Sequence, residues 1–136
     1  MAEKNKIQTA MIVDDSEFDQ VLYKELIERS GMVDKLIQYY YPDEALEFLK
    51  QPDRENVDVL FLDINMPRMS GFEFLKEASQ QLGPDFAKIV IIMLTTSLDP
   101  RDQKKAKEFE MVKDYINKPL TIDGLKHVIS LVHHQS

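Results

Sequence analysis

The chain predicts an α/β protein, a doubly wound five-stranded parallel sheet in the order 2-1-3-4-5. Three observations lead there. Five short apolar runs alternate with five segments of helical periodicity, so strand and helix follow one another throughout. Two of the runs, 57–62 and 89–94, are apolar almost without interruption, as in strands covered on both faces. Right-handed crossovers leave few topologies for five such units, and the 2-1-3-4-5 order suits them.

The first run, Ile7–Val13, ends in Asp14-Asp15. Ser16 is a suitable N-cap, Glu17 and Asp19 place acid in the first helical turn, and Gly31 closes the segment. Phe18, Leu22 and Leu26, with Val21 and Ile27 beside them, form the expected buried face. Residues 35–41 are rich in β formers and stop at Pro42, after which Asp43 is the expected cap of a helix buried through Ala45, Leu46 and Leu49. The third run ends at Asp63, and the loop from Asn65 to Gly71 leads into a helix carrying Phe72, Leu75, Ala78 and Leu82. Gly83-Pro84 breaks that helix.

The fourth run, the most hydrophobic, gives way to Thr95-Thr96-Ser97. Asp99-Pro100 opens a polar fourth helix, with proline suited to its first position. Val112–Asn117 is a weaker fifth strand ending in Lys118-Pro119. The last helix starts near Thr121 and turns Ile122, Leu125, Ile129 and Val132 to one side.

Composition narrows the classes. The 136 residues suit one domain with its own core at about 7–133, leaving no room for an output domain within 1–136. Hydrophobic residues make up 43% and charged residues 30%, as in ordinary globular chains. Cysteine is absent, which removes disulfides and thiolate metal sites. The opening nine residues lack the apolar core of a signal peptide, and no run has membrane-spanning length, so a cytoplasmic location with no membrane partner is expected. A net charge of −7 opposes nucleic-acid binding, and the basic stretch around Lys104, Lys105 and Lys107 is interrupted by acids.

Chemistry gathers at the strand ends. In an open parallel sheet, ligands bind beyond the carboxyl ends of the strands, at the switch point between strands 1 and 3. Asp14-Asp15 and Asp63 end those two strands, with Thr95 and Lys118 ending the next two. Singly, each such residue reads as a capping or turn residue; together, in this order, they make a pocket. Three carboxylates so close need a cation. With only oxygen donors, Mg2+ is the natural guest, held by Asp15, Asp63 and the Asn65 backbone carbonyl. An aspartate can also accept a phosphoryl group, whose oxygens would be met by Mg2+, Lys118, the Thr95 hydroxyl and backbone N–H groups.

With Asp14-Asp15, the stretch Leu60-Phe61-Leu62-Asp63-Ile64-Asn65-Met66-Pro67, Gly71, Thr95 and Lys118-Pro119, the chain resembles a receiver domain of a two-component response regulator. The resemblance spans essentially the whole chain and implies the flavodoxin-like fold. It implies Asp63 as phosphoacceptor from a phosphohistidine on a sensor histidine kinase, Asp15 as Mg2+ ligand and Asp14 acting through metal-bound water. It further implies Asn65 as carbonyl donor, Lys118 as phosphoryl contact, Thr95 as switch hydroxyl and a cis Lys118–Pro119 bond. Tyr115 takes the place of an aromatic that turns inward on phosphorylation. The fourth helix, fifth strand and fifth helix would then change shape, meet a downstream protein target and offer a face for pairing two copies. Two departures concern output and lifetime. Met111-Val112 stands where the family often has Gly-Ala, and Thr96 where a smaller residue is common. Asn65 and Ser97, small and uncharged, leave water some access to the phosphoryl group, which implies a modest lifetime; Thr96 opposes them as a gate.

Four readings follow. A switch acting through protein contacts leads, and a relay passing phosphate to a histidine phosphotransfer protein uses the same site. A phosphorylation-independent binding module is opposed by the complete set of acceptor and metal residues. A hydrolase of the haloacid-dehalogenase kind needs an acid at the position of Asn65, which is an amide. His127 and the tail His133-His134 read as solvated helix-end residues, and the seven methionines as core or loop filler.

Overall fold

The computed structural model describes residues 6–134; the first five residues and the terminal Gln135-Ser136 of the polar tail lie outside the described residues. Strands β1 (Ile7–Val13), β2 (Val33–Tyr39), β3 (Val59–Leu62), β4 (Val90–Thr95) and β5 (Val112–Asn117) alternate with helices. These are α1 (Glu17–Ser30), α2 (Pro42–Lys50), α3 (Gly71–Leu82), α4 (Pro84–Ala87), α5 (Pro100–Lys107) and α6 (Ile122–His133). All strand pairs are parallel, in the order β2-β1-β3-β4-β5. The fold class expected from the sequence is therefore the one found.

The two-residue period of the strands divides the core. Met11, Val13, Leu60, Leu62, Ile91 and Met93 face α2, α3 and α5, packing with Leu46, Leu49, Phe74, Leu75 and Ala106. Ile12, Phe61, Val90, Ile92 and Leu94 face the other way, with Tyr23, Leu26 and Ile27 of α1 and Leu125, Val128 and Ile129 of α6. Each fully buried aliphatic or aromatic side chain contributes ~2 kcal/mol relative to exposure. This two-sided burial holds the strand ends still, and the site is built on them.

Three expectations about the helices need correction. On α1 the buried residues are Gln20, Tyr23, Leu26 and Ile27, whereas Phe18, Val21 and Leu22 are exposed. Two stripes overlap in that segment, and polar anchoring of Gln20 and Tyr23 against the strand ends sets the rotation. Asp43 does not cap α2: the N-cap is Tyr41, with no side-chain bond, and Asp43 instead receives the Arg68 guanidinium at 2.9 Å. Gly83-Pro84 ends α3 as expected, but the chain then forms the short helix α4, anchored by fully buried Phe86 against Phe74. The expected fourth and fifth helices are thus α5 and α6.

Strand limits moved too. β2 covers Val33–Tyr39 and leaves Tyr40 and Tyr41 in the turn, because Ile7 pairs with Val33 and fixes the register early. β3 begins at Val59, not residue 57; just before it, the Asp58 carboxylate accepts the Thr9 N–H of β1. β4 is shifted by one to Val90–Thr95, so Thr95 is its last residue. Beside the Met111-Val112 departure, β5 carries an irregularity: Val112 pairs with Ile91 but Asp114 with Ile92. The Lys118–Pro119 bond is cis. His127 pairs with Asp114 at 3.1 Å and His133 meets the Lys6 carbonyl, so both are surface contacts.

Candidate functional site

Register creates the site. Val13 of β1 pairs with Leu62 of β3, so Asp14 and Asp63 emerge side by side just beyond the paired residues. Their backbones are tied in turn: Asp63 N–H donates to the Val13 carbonyl and Asp14 N–H to that of Tyr39, each at 3.1 Å. One carboxylate oxygen from each of Asp14, Asp15 and Asp63 lies within 4.8 Å of the others. Asp14 is 1% and Asp63 8% exposed, while Asp15 faces solvent. Three oxygen donors at this spacing, with an open side, fit a hard divalent cation such as Mg2+.

Behind Asp63 the chain is tightly turned. The Ile64 N–H bonds an Asp63 carboxylate oxygen at 2.9 Å, and the Gly71 N–H returns to the Ile64 carbonyl at 2.7 Å. A Cβ on Gly71 would lie 2.3 Å from the Asp63 carbonyl oxygen. Glycine is therefore required by closeness at the start of α3. Arg68, in the same loop, has φ 74, a left-handed conformation unusual for a side chain other than glycine. Its guanidinium is held by Asp43 and lies 4.4 Å from the centre of the Tyr41 ring.

Lys118 enters from the end of β5, its N–H bonded to the Thr95 carbonyl at 2.8 Å. Its Nζ lies 2.8 Å from Asp14, 2.9 Å from Asp19 and 3.5 Å from Asp63. Burial alone would depress the ammonium, but hydrogen bonds to Asp14 and Asp19 and the Asp63 charge outweigh it, so its pKa rises. Burial pushes the Asp63 carboxyl up to about 6, and the Asp14 charge adds to this; Lys118 and the Ile64 N–H only partly offset it. Without a cation the pocket holds more negative charge than its one ammonium balances.

Sequence reasoning missed three members. Asp19 appeared only as a first-turn acid, yet it grips Lys118 across 99 residues of chain. Tyr23, 3% exposed, donates its hydroxyl proton to the Asp14 carboxylate at 3.1 Å. That hydroxyl is pushed upward in pKa by burial first, then by the Asp14 and Asp19 charges. Gln20, 1% exposed, donates its amide to the Asp14 and Tyr39 carbonyls and accepts from Gln38. The spacing of Gln20 and Tyr23 with Ile27 was the available signal, three to four residues apart on one face.

The remaining candidates lie at or near the ends of β3, β4 and β5. Thr95 is fully buried, and its hydroxyl oxygen accepts the Ser97 N–H at 3.0 Å. Thr96 and Asn65 are exposed, and the Ser97 hydroxyl is engaged with Asp102. Tyr115 is half-buried, its hydroxyl 3.4 Å from the Ser97 carbonyl, which Asn117 also bonds at 3.0 Å.

This assembly defines a class. The family described as response regulator receiver domain matches residues 10–130, and the chain belongs to it. An uncharacterized response regulatory protein of Vibrio cholerae is 29% identical over 93% of this chain; the chain spans 49% of that protein's length. The response regulator Rcp1 of Synechocystis is 31% identical, covering 90% of this chain and 84% of its own. A two-component response regulator from Cytophaga hutchinsonii superposes with a TM-score of 0.87 at 29% identity, over 96% of this chain and 99% of that one. The Mn2+-bound form of Rcp1 superposes at 0.72, with 27% identity over 94% of this chain and 93% of that one. Receiver domains are signalling units that bind Mg2+ at an acidic pocket and interact with histidine kinases and downstream targets. Among the described residues, no helix is long and apolar enough to cross a membrane.

Proposed function

We propose that this protein is a Mg2+-dependent phosphorylation switch in which Asp63 accepts a phosphoryl group from a phosphohistidine. The donor is a sensor histidine kinase or a histidine phosphotransfer protein. The observation that carries the reading is the meeting of three carboxylates with one buried ammonium at the ends of β1, β3 and β5. That the similar Rcp1 has a Mn2+-bound form supports the reading that this chain takes a divalent cation.

Asp15, Asp63 and the Asn65 backbone carbonyl would hold Mg2+, with Asp14 acting through its bound water. When bound, the cation neutralises carboxylate charge and screens the oxygens of the incoming phosphoryl group. An Asp63 carboxylate oxygen attacks phosphorus; the O–P bond forms as the donor's N–P bond breaks. The electron pair stays on the imidazole nitrogen, and the product is an aspartyl phosphate. Lys118 supplies a donor to a second phosphoryl oxygen. The Thr95 hydroxyl accepts the Ser97 N–H and so keeps its own proton for a third.

The response then spreads through Ser97. Its backbone is bonded to Thr95 on one side and to Tyr115 on the other. At 3.4 Å the Tyr115 bond is weak, so the ring is free to exchange it when Thr95 moves. Output is a changed α5–β5–α6 face that meets a protein target, not nucleic acid. Exposed Thr96 stands at the rim as the gate for water.

Acetyl phosphate, with and without Mg2+, tests the reading. Wild type is expected to gain one phosphoryl group only with Mg2+, and Asp63→Asn none. Modification that is independent of Mg2+, or retained in Asp63→Asn, would refute the assignment.

A further inference from the structure

The contacts of Lys118 carry an inference that rests on the switch reading above. We infer that Asp19 is a positioning residue, holding Lys118 on the α1 side of the pocket and competing with the phosphoryl group for its ammonium. The side chain of Lys118 is 9% exposed and that of Asp19 25%, so the pair is largely withdrawn from water. Its 2.9 Å separation is that of a charge-assisted hydrogen bond, whereas Asp63 at 3.5 Å lies beyond that range.

Local geometry explains how the carboxylate comes to be available. Asp19 sits three residues after the Ser16 N-cap, where an acidic side chain ordinarily folds back on the cap's own N–H. Here the Ser16 N–H donates to the Asp14 carboxylate at 2.9 Å. The Asp19 carboxylate is displaced from the cap and turns to Lys118. Ser16 still accepts the Asp19 N–H at 3.2 Å, which keeps the residue in place.

The three anions around Lys118 differ in what a filled site does to them. In the proposed switch, Asp63 carries the phosphoryl group and Asp14 faces the cation's water. Asp19 lies outside the carboxylate cluster that would hold Mg2+, and its charge partner is Lys118. It is therefore the anion that continues to draw Lys118 away as charge builds on Asp63. Removing its charge frees the ammonium for the phosphoryl oxygens.

The test compares wild type, Asp19→Asn, Asp19→Glu and Glu17→Gln. Glu17 is exposed on the same turn and controls for a simple loss of negative charge. Fluoroberyllate with Mg2+ is titrated while the amide shifts of Thr95 and Ser97 are followed, and acetyl phosphate rates are measured alongside. Asp19→Asn is expected to bind fluoroberyllate about fivefold tighter and to be phosphorylated faster, the scale of one partly buried ion pair. Asp19→Glu keeps the charge and should stay near wild type, as should Glu17→Gln. If Asp19→Asn fails to fold, Asp19→Ser makes the same comparison with a first turn that is still polar.

If wild type responds but Asp19→Asn matches Glu17→Gln, or binds more weakly, the positioning role falls and the switch reading stands. A silent wild type overturns the switch reading, and this inference with it.

Discussion

Helices α1 and α3 both follow a strand that ends in aspartate, and both begin with a serine followed three residues later by an acid. At α3 the pattern closes on itself. Ser70 accepts the Glu73 N–H at 3.1 Å, and the Glu73 carboxylate accepts the Ser70 N–H at 2.8 Å. At α1 only the first half forms; the Ser16 N–H goes to Asp14 and the Asp19 carboxylate to Lys118. One motif thus ends two helices in different ways. Where the neighbourhood is solvent, the box completes; where a buried aspartate and a distant lysine compete, the same atoms are diverted to the site. The α3 end holds the backbone of Asp63, and the α1 end sets the charge around it.

The largest expected effect breaks the α3 side. A methyl group at Gly71 meets the Asp63 carbonyl oxygen at 2.3 Å, and a backbone atom cannot swing aside as a flexible side chain would. Gly71→Ala should lose about 2–3 kcal/mol by urea unfolding. It should also slow acetyl phosphate labelling, because the loop that orients Asp63 must shift. The corresponding first helical residue of α1 is exposed Glu17, where alanine should leave stability almost unchanged. A Gly71→Ala protein as stable and as reactive as wild type would remove the distinction between the two ends.

That difference also marks what could be read in the sequence. Asp14, Asp15, Asp63, Thr95 and Lys118 were legible because each ends an apolar run, and parallel order brings run ends together. Gly71 and Tyr115 were found through family resemblance, and the two-residue strand period is visible in Val59–Leu62 only as unbroken apolarity. Asp19 was not legible as a site residue, since its partner is 99 residues away and its local spacing fits a cap equally well. Phe18 and Leu22 misled for the complementary reason. Periodicity shows that a stripe exists, while the rotation of α1 is decided by bonds from Gln20 and Tyr23 to the strand ends. Asp43 likewise followed a capping rule that a long-range partner, Arg68, overrode.

A second prediction sharpens the α1 side, where charge is gathered at the expense of stability. With Mg2+ chelated, the Asp63 carboxyl rises from its ordinary 3.8 to about 6 through burial and the nearby Asp14 charge. The folded chain then binds this proton more tightly than the unfolded chain does. Ionised Asp63 therefore weakens the fold increasingly as pH climbs through the folded value, and the penalty vanishes below the unfolded one. Asp63→Asn should stabilise the chelated protein on the order of 2 kcal/mol near about pH 7.5. Thermal melts should show the gain shrinking towards about pH 4, where both proteins carry an uncharged side chain. A gain that grows as pH falls would reverse the assignment of cause.

The smallest expected effect separates the two serines from their acids. Ser70→Ala removes the acceptor for the Glu73 N–H and should cost about 1 kcal/mol, as N-cap losses do. Ser16→Ala should cost a similar amount, because Ser16 accepts the Asp19 N–H in the same way. Ser70→Ala should leave phosphorylation by acetyl phosphate unchanged, whereas Ser16→Ala keeps the backbone N–H that holds Asp14 but loosens Asp19 and should shift the rate slightly. The Glu73 carboxyl sits below its ordinary 4.5 through its bonds to the Ser70 backbone and side chain. Its contribution is therefore present above 4.5, is lost as pH falls through the lowered value, and should be weaker in Ser70→Ala. If Ser70→Ala slowed phosphorylation as much as it reduced stability, the α3 cap would be part of the switch, and the two helix ends would differ only in degree.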